Sequence, residues 1–224
     1  MSGKPRLICY TAITGGYDRL LDPLVLSEGV RYVCFSDAPV RSRVWEHAEM
    51  PASLAGLDDV KKQRVVKICP HKYLPDCDVS VWVDGNVQVT GDLNEFVGLC
   101  DFSKSPLYVR PHPSRTCVYD EAEAVLKRGK EDPALVRRIV ERYRAEGYPE
   151  KAGMAETNVL ARLHNDVKCR LFDEAWATEL LLNSRRDQLS FNYVARKTGF
   201  LPGYLTGQYS MLSSKYFKIK AHNG

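Results

Sequence analysis

The stretch Asp78–Leu93, DVSVWVDGNVQVTGDL, decides how the rest of the sequence is interpreted. Its run Val79–Val83 is apolar and rich in β-branched residues, which predicts a buried strand. The run stops at Asp84-Gly85-Asn86, and apolar residues resume only at Val87. In open α/β sheets, ligands bind beyond the carboxyl ends of the strands, where this carboxylate and this amide would lie. The stretch therefore predicts an α/β fold with a polar site at the end of a central strand.

The same pattern occurs upstream. Arg6–Ile13 and Val30–Phe35 are apolar runs that end at a glycine turn and at Ser36-Asp37, respectively, and Val60–Ile68 has the character of a helix. Strands that are apolar on both faces and are joined by crossovers are typical of a mostly parallel sheet covered on both sides. We therefore expect a Rossmann-like, mostly parallel sheet flanked by helices, with the polar strand ends gathered along one edge.

The C-terminal half is predicted to be mainly helical. A strand is expected at Leu107–Val109, and helices are expected at Tyr119–Arg128, Pro133–Glu146, Leu171–Leu182 and Asp187–Lys197. No repeat, low-complexity segment or linker interrupts the sequence. We expect one domain over residues 1–224, with a nucleotide-binding part in about 1–100 and an acceptor-side part in about 101–224.

Composition narrows the class of protein. The 224 residues are 44% hydrophobic and 27% charged, with a net charge of +4, which is ordinary for a globular protein and too mild by itself to indicate a nucleic-acid binder. No run of about 18 apolar residues is present, so no membrane span is expected. The seven cysteines are odd in number, dispersed and without a C-x-x-C pair, and the N-terminus has no signal-peptide pattern. We expect reduced thiols and a cytoplasmic location.

Two interpretations of Asp84-Gly85-Asn86 remain open from the residues alone. Side-chain oxygens at i and i+2, separated by a glycine, suit a divalent cation that bridges the two phosphates of a nucleotide-diphosphate sugar. Asp, Gly and Asn are also the residues of an ordinary tight turn.

Five stretches in sequence order carry a resemblance to a known family: YTAITGGYD (Tyr10–Asp18), YVCFSD (Tyr32–Asp37), KICPHKYLPDCDVSVWVDGNV (Lys67–Val87), HPSRTCVYDEA (His112–Ala122) and RRDQLSFNYV (Arg185–Val194). Over nearly its full length the chain resembles the glycosyltransferase family formerly called domain of unknown function 616, which includes a plant α-galacturonosyltransferase of pectin and mucilage synthesis and many bacterial proteins. The resemblance implies a GT-A fold, a UDP-sugar donor, and Mn²⁺ or Mg²⁺ bound at Asp84 and Asn86.

The resemblance also implies roles for residues outside that tripeptide. Like a basic pair in glycogenin-type enzymes, Arg64 and Lys67 would hold the diphosphate or the donor sugar; an exposed basic helix end is the alternative. Asp187 at a helix start would face the donor sugar, or would simply cap the helix. Three residues of the C-terminal tail would complete the site unless the terminus is frayed: His222 as a metal ligand and Lys218 or Lys220 at the diphosphate.

Further positions are assigned to the two substrates. The nucleotide would contact Thr11, Ala12, Tyr17, Asp18 and Asp37, the last near the base or ribose. Sugar or acceptor recognition would involve His112, Arg115, Tyr119, Glu121, Glu156, Arg186 and Gln188. Loop formation and helix capping are the structural alternatives for the acidic residues among them.

The sequence thus predicts a metal-dependent glycosyltransferase that moves a sugar, with retention, to a glycan or another hydroxyl acceptor. Asp84, Lys67, Arg64 and Asp187 would carry catalysis. An inverting enzyme would need a carboxylate base, for which Glu121 and Glu156 are the candidates. A modified nucleic acid or a protein is the alternative acceptor, and a non-catalytic nucleotide-sugar binding module is the alternative function. A metal-dependent phosphohydrolase or nuclease is disfavoured, because it would need a denser cluster of Asp, Glu and His.

Overall fold

The computed structural model describes residues 5–206 and 214–221. The strands are β1 (Leu7–Ile13), β2 (Arg31–Ser36), β3 (Glu46–Glu49), β4 (Val79–Val83), β5 (Val87–Val89), β6 (Leu107–Pro111), β7 (Ala155–Leu163), β8 (Gly203–Tyr204) and β9 (Phe217–Ile219). The α-helices are α1 (Asp59–Ile68), α2 (Leu93–Gly98), α3 (Val118–Lys127), α4 (Pro133–Ala145), α5 (Val167–Leu182) and α6 (Asp187–Thr198).

Seven of these strands form the central sheet, in the order β3-β2-β1-β4-β7-β6-β8. Strands β3, β2, β1 and β4 run parallel to one another, and β8 is parallel to β6. Strand β7 is antiparallel to both of its neighbours, β4 and β6. The predicted α/β fold with a mostly parallel sheet is therefore confirmed. Because β4 and β6 both oppose β7, their carboxyl ends lie at the same edge of the sheet.

The sheet has a hydrophobic core on each face. Along β1 and β4, alternate residues such as Tyr10 and Trp82 pack on the face that α1, α3, α5 and α6 cover. Their neighbours Cys9 and Val81 pack on the other face, against α2 and a small antiparallel ribbon of β5 and β9. Alternation between two apolar faces explains why these strands read as continuous apolar runs in the sequence.

Short acidic residues begin most of the helices. The side chains of Asp58, Asp92, Asp132 and Asp166 each accept a hydrogen bond from a backbone N–H in the first turn of the helix that follows. Gly199 ends α6 in the left-handed conformation, with φ of 68°. The predicted helices are all present, although α5 begins at Val167, earlier than the predicted Leu171.

Several strands were not specified by the sequence patterns, among them β3, β7, β8 and β9. Strand β3, EHAE, is charged and mostly exposed at the edge of the sheet. The sequence of β7, AETNVLARL, does not by itself distinguish a strand from a helix. Strand β9 lies in the tail and pairs with β5, so that Val87 faces Ile219 and Val89 faces Phe217. That ribbon places the tail directly beside Asp84-Gly85-Asn86.

Two expectations about chemistry and location can be compared with the fold. All seven cysteines are buried and free, as expected for reduced thiols. Among the helices in the described residues, none is both long enough and apolar enough to cross a bilayer.

Candidate active site

The candidate site is assembled where β4 ends. Asp84 follows β4 directly, Arg64 and Lys67 lie in the second half of α1, and Asp187 is the first residue of α6. Since α1 and α6 cover the same face of the sheet, their polar side chains meet beneath the end of the strand. The structure brings together all four residues that the sequence assigned to catalysis.

Asp84 receives its hydrogen bonds through one oxygen. Its Oδ1 accepts from Trp82 Nε1 at 2.7 Å, from Lys67 Nζ at 3.0 Å and from Arg64 Nη1 at 3.4 Å. The side chain is 23% exposed. Because the contacts of the described residues go to Oδ1, Oδ2 is left available to a ligand.

Asp187 is enclosed by donors on both oxygens. Its Oδ1 lies 3.2 Å from Arg64 Nε, and its Oδ2 accepts from Lys67 Nζ and from the Thr157 hydroxyl, each at 2.7 Å. Burial alone would raise the pKa of Asp187, but the charges of Arg64 and Lys67 hold that pKa well below its usual range. Asp187 therefore stays ionised and is not free to accept a proton. Helix capping does not explain it, because its carboxylate bonds to side chains of α1 and β7.

The geometry changes the role expected of the two basic residues. The Lys67 side chain is 1% exposed and the Arg64 side chain is 13% exposed. Each contacts both Asp84 and Asp187, so two cations are balanced by two carboxylates. The exposed basic helix end is excluded, because both side chains are largely buried. Contact of either residue with a diphosphate stays a prediction. Both residues fix the positions of the two carboxylates.

A second carboxylate lies against the turn after β4. A Cβ added to Gly85 would come within 3.2 Å of Asp18 Oδ2. Asp18 was expected to contact the nucleotide, and the structure places it beside Asp84-Gly85-Asn86. Asp18, Asp84 and Asn86 thus offer hard oxygen donors around one turn, which is the donor type that Mg²⁺ and Mn²⁺ prefer.

The C-terminal tail reaches the same turn through its backbone. Asn86 Nδ2 donates to the Lys220 carbonyl at 3.1 Å, and Lys220 N donates to the Asn86 carbonyl at 2.8 Å. Lys218 pairs with Gln88 in the β5–β9 ribbon and is exposed. His222, the third predicted metal ligand, lies outside the described residues.

The predicted nucleotide contacts are spread between the core and the surface. Thr11 and Ala12 are fully buried inside β1, at 1% and 0% exposure, which leaves them no surface for a ligand in this structure. Tyr17 is exposed at 57%, and Asp37 Oδ2 accepts from Gly15 N at 2.7 Å. An open cavity of about 380 Å³ beyond β2 is lined in part by Asp37 and Lys62, and its size suits a nucleotide part.

The predicted acceptor residues form a hydrogen-bonded group after β6. His112 Nδ1 accepts from Arg115 N at 3.0 Å, and His112 Nε2 lies 2.7 Å from Arg115 Nη2. Arg115 also forms an ion pair with Glu121, which is buried. Tyr119 instead donates its hydroxyl to the Tyr148 carbonyl at 2.7 Å and is buried, so it supports the fold of this region.

The remaining predicted residues flank Asp187 and Asp84. Arg186 is the N-cap of α6, and Gln188 Nε2 donates to the Ala155 carbonyl at 3.4 Å. Glu156 and Asn158 lie on β7, and the Asn158 carbonyl accepts from Asp84 N at 2.9 Å. These contacts place the start of β7 next to the end of β4.

Sequence reasoning missed two residues that complete the site. Trp82 precedes Asp84 by two positions on an extended chain, and this spacing puts both side chains on one face. That spacing was a usable signal for its hydrogen bond to Asp84. Thr157 links Asp187 and Lys67, with its hydroxyl 3.4 Å from Lys67 Nζ. No local pattern in the sequence marks Thr157, because its partners are distant in the chain.

A separate group with potential metal ligands lies between the end of α1 and α5. Single ligand atoms of Cys69, His71 and Glu174 lie within 4.8 Å of one another. Glu174 is already engaged by His71 Nε2 at 2.9 Å and by Lys72 Nζ at 2.7 Å. The group contains none of the predicted metal ligands.

The sequence and the structure were compared with those of known proteins. The family model described as TOD1/MUCI70, glycosyltransferase-like domain, matches residues 44–203, which is more than half of the chain. The chain belongs to the TOD1/MUCI70 family. The resemblance stated from sequence is therefore confirmed, and the matched range includes Arg64, Lys67, Asp84 and Asp187.

Two relatives of this TOD1/MUCI70 chain are informative. It is 25% identical over 175 residues to an Arabidopsis thaliana protein described as probable hexosyltransferase MUCI70, covering 74% of this chain and 30% of the relative. It superposes on the apo structure of the bifunctional glycosyltransferase WbbM with a TM-score of 0.53 and 8% identity, covering 91% of this chain and 39% of that chain. The chain thus spans about a third of the length of each, and the likeness to WbbM concerns the fold.

Proposed function

We propose that this TOD1/MUCI70 domain is a glycosyltransferase that moves a sugar from a nucleotide-diphosphate sugar, a UDP-sugar, to a hydroxyl acceptor. The observation that carries the proposal is the placement of Asp84 by Lys67 and Arg64 at the carboxyl end of the central strand. This edge is where α/β sheets bind nucleotides. Membership in a glycosyltransferase-like family supports the reaction class.

We propose that Asp84 Oδ2, Asn86 and Asp18 hold a divalent cation, Mn²⁺ or Mg²⁺. The fit is supported by the oxygen donors around Gly85 and by the remaining exposure of Asp84. A cation bound there would neutralise charge on the leaving diphosphate. Lys67, Arg64 and Trp82 fix Asp84 Oδ1, so that its second oxygen is presented without side-chain reorganisation. Lys218 and Lys220 are proposed to meet the phosphates, which is supported by their exposure on a tail that pairs beside Asn86.

Retention of configuration is also part of the proposal. Asp187 has both oxygens occupied and Glu121 is paired with Arg115, which leaves Glu156 as the carboxylate that an inverting reaction would use as its base. In a retaining reaction the departing phosphate oxygen accepts the proton of the acceptor hydroxyl, and no such base is needed. The permanent charge of Asp187 would stabilise positive charge that develops on the transferred sugar.

The acceptor is proposed to be a glycan, with a nucleic acid or a protein as the alternatives that an acceptor screen would test. Acceptor binding by a nucleic acid would weaken steeply with rising salt, whereas a neutral glycan would show little salt dependence. A cytoplasmic location is proposed because all seven cysteines are free.

The test is UDP release from a panel of UDP-sugars with Mn²⁺ or Mg²⁺, together with the shift in melting temperature on adding UDP. Turnover is expected with at least one donor, only when a divalent cation is present, and Asp84→Ala should abolish it. Metal-dependent UDP binding without turnover would identify a binding module instead. Turnover unaffected by chelation or by Asp84→Ala would refute the proposed site. The anomeric configuration of the product, read by NMR, tests retention.

A further inference from the structure

Arg110 carries a buried guanidinium group that the proposed reaction does not use. It lies at the end of β6 and is 2% exposed. Within the described part of the chain, none of its three guanidinium nitrogens has a hydrogen-bond partner. The group lies 5.6 Å from the ring centre of Phe217 on β9. Burial lowers the pKa of Arg110 to about 10, which reflects how poorly the protein alone solvates this charge.

Two side chains of β7 face Arg110 from the next strand. Glu156 is its direct cross-strand partner in the sheet, so the two side chains emerge on the same face. The Glu156 carboxylate, which is half-buried, accepts a side-chain hydrogen bond from Asn158. Burial raises the pKa of Glu156, with the charge of Arg110 acting in the opposite direction. Asn158 follows two residues later, and its Oδ1 is buried without a partner among the same residues.

These three residues, here called the Arg110 cluster (Arg110, Glu156 and Asn158), border the proposed donor site. Asp84 N donates to the Asn158 carbonyl at 2.9 Å, which fixes the cluster one strand away from the end of β4. The neighbouring Thr157 points to the opposite face, where it contacts Asp187 and Lys67. The cluster is therefore separate from the group that positions Asp84.

The Arg110 cluster contains both donors and acceptors that could form further hydrogen bonds. Arg110 offers donors only, whereas the Glu156 carboxylate and Asn158 Oδ1 offer acceptors. The Arg110 nitrogens and Asn158 Oδ1 are buried without partners among the described residues, which is unfavourable, so a bound partner would be favoured. The opposite charges of Arg110 and Glu156 cancel, which disfavours an anion as that partner. A sugar hydroxyl both donates and accepts, and two adjacent hydroxyls would serve both kinds of group at once.

We propose that the Arg110 cluster is a sugar subsite that binds two adjacent hydroxyls of an uncharged pyranose ring, with Arg110 donating to them and Glu156 and Asn158 accepting from them. The inference rests on the proposed function, because the ring is taken to belong to a sugar that takes part in the transfer next to Asp84. It assigns selection among sugar hydroxyls to residues of β6 and β7. These residues differ from those proposed to bind the diphosphate.

The test measures binding of a panel of methyl hexopyranosides and their monodeoxy analogues by thermal shift, without nucleotide, and repeats the comparison with the matching UDP-sugars in the turnover assay. The wild type should bind at least one pyranoside about 10-fold more tightly than the analogues lacking either of two adjacent hydroxyls. Glu156→Gln, which keeps the shape but removes the charge and one acceptor oxygen, should reduce that discrimination to within about 3-fold. Glu123→Gln, an exposed change on α3, should leave it intact.

Arg110→Met separates recognition from packing. If the guanidinium only fills space over Phe217, this variant will keep the wild-type discrimination, and the proposal fails. The proposal also fails if the wild type binds none of the pyranosides, or if it prefers methyl uronosides, since that preference would indicate an anion site. Pyranoside discrimination in the wild type and in Asp84→Asn, without metal-dependent UDP release, would refute the proposed function and leave the subsite standing.

Discussion

Lys67 and Asp187 form an ion pair with 2.7 Å between Nζ and Oδ2, although their side chains are only 1% and 4% exposed. A buried pair of this kind stabilises a fold weakly, because desolvation offsets the attraction, but loss of one partner leaves an uncompensated charge. Here the pair is extended to Asp84 and Arg64, so the same contacts that hold α1 against α6 also fix the proposed metal ligand.

Lys67→Met should therefore destabilise the protein and inactivate it. Loss of the ammonium leaves Asp187 with the charge of Arg64 and the hydrogen bond from Thr157, and it leaves Asp84 without its 3.0 Å contact. The free energy of unfolding, measured with urea, should fall by about 3–5 kcal/mol. UDP release should be lost even at a temperature where the variant remains folded.

Lys104→Gln provides the control at an exposed pair outside the site. Lys104 pairs with Asp101 at 2.9 Å, and the two side chains are 78% and 46% exposed. Loss of such an exposed pair should cost no more than about 1 kcal/mol and leave UDP release unchanged. A cost for Lys67→Met as small as this would contradict a positioning role for the buried pair.

Gly85→Ala tests the packing of Asp18 against the turn. The added Cβ would lie 3.2 Å from Asp18 and 3.4 Å from Ile13 Cγ1, so Asp18 must shift by a few tenths of an ångström. We expect metal affinity, measured by calorimetry with Mn²⁺, to fall about 10-fold, equivalent to about 1.4 kcal/mol. Gly98→Ala, where nothing lies within 4 Å of the added Cβ, should not change it. Equal Mn²⁺ affinity in the wild type and Gly85→Ala would remove Asp18 from the ligand set.

Trp82→Phe removes one of the three donors to Asp84 Oδ1. The free energy of unfolding should fall by about 2–4 kcal/mol, from the lost hydrogen bond and the smaller ring. Turnover should fall about 10-fold, because Asp84 is less firmly held. Trp45→Phe is the control, since Trp45 is also buried and donates to a carbonyl, that of Leu21 at 3.1 Å, away from the site. Its stability should fall similarly without loss of turnover; parallel losses in both variants would argue against a role for Trp82 in the site.

Acid should destabilise the protein through its buried histidines. Burial, and next the charge of Arg162, lowers the pKa of His164 to about 4. The unfolded chain takes up this proton near pH 6.5, so stability is unaffected above that pH and declines as the pH falls toward 4. The decline amounts to about 3 kcal/mol for this histidine.

His164→Leu should make unfolding stability flatter between pH 6.5 and pH 4, measured by urea titration at several pH values. A residual slope is expected from His112, whose pKa burial also lowers to about 4. His47→Gln, an exposed change on β3, should leave the wild-type slope in place. A slope in His164→Leu as steep as that of the wild type would show that His164 takes up its proton in the folded state at ordinary pH.

Much of the fold was predictable because its signals are local. Apolar runs specified β1, β2 and β4. Strand β3 escaped because its charged EHAE sequence is stabilised by pairing with β2 rather than by its own pattern. Strand β9 escaped because its partner β5 lies more than 120 residues earlier in the chain, and no local pattern encodes such a pairing.

The sequence predicted which residues form the candidate site, but it did not predict how those residues contact one another. Family resemblance selected Arg64, Lys67, Asp84 and Asp187, and the structure places them in one cluster. It did not indicate that the two cations would be buried and neutralised by the carboxylates, since burial depends on how α1 packs against α6. Arg110 was missed for the same reason: an arginine at the end of a strand normally reaches solvent, and only the overlying β9 encloses it.

The opposite orientations of Thr157 and Glu156 on β7 have a consequence for how such enzymes diversify. If Glu156 selects the sugar as proposed, neighbouring positions on one extended segment are under different selective pressures, one for catalysis and the other for the choice of substrate. A lineage could exchange every second residue here and acquire a new substrate without rebuilding its catalytic machinery.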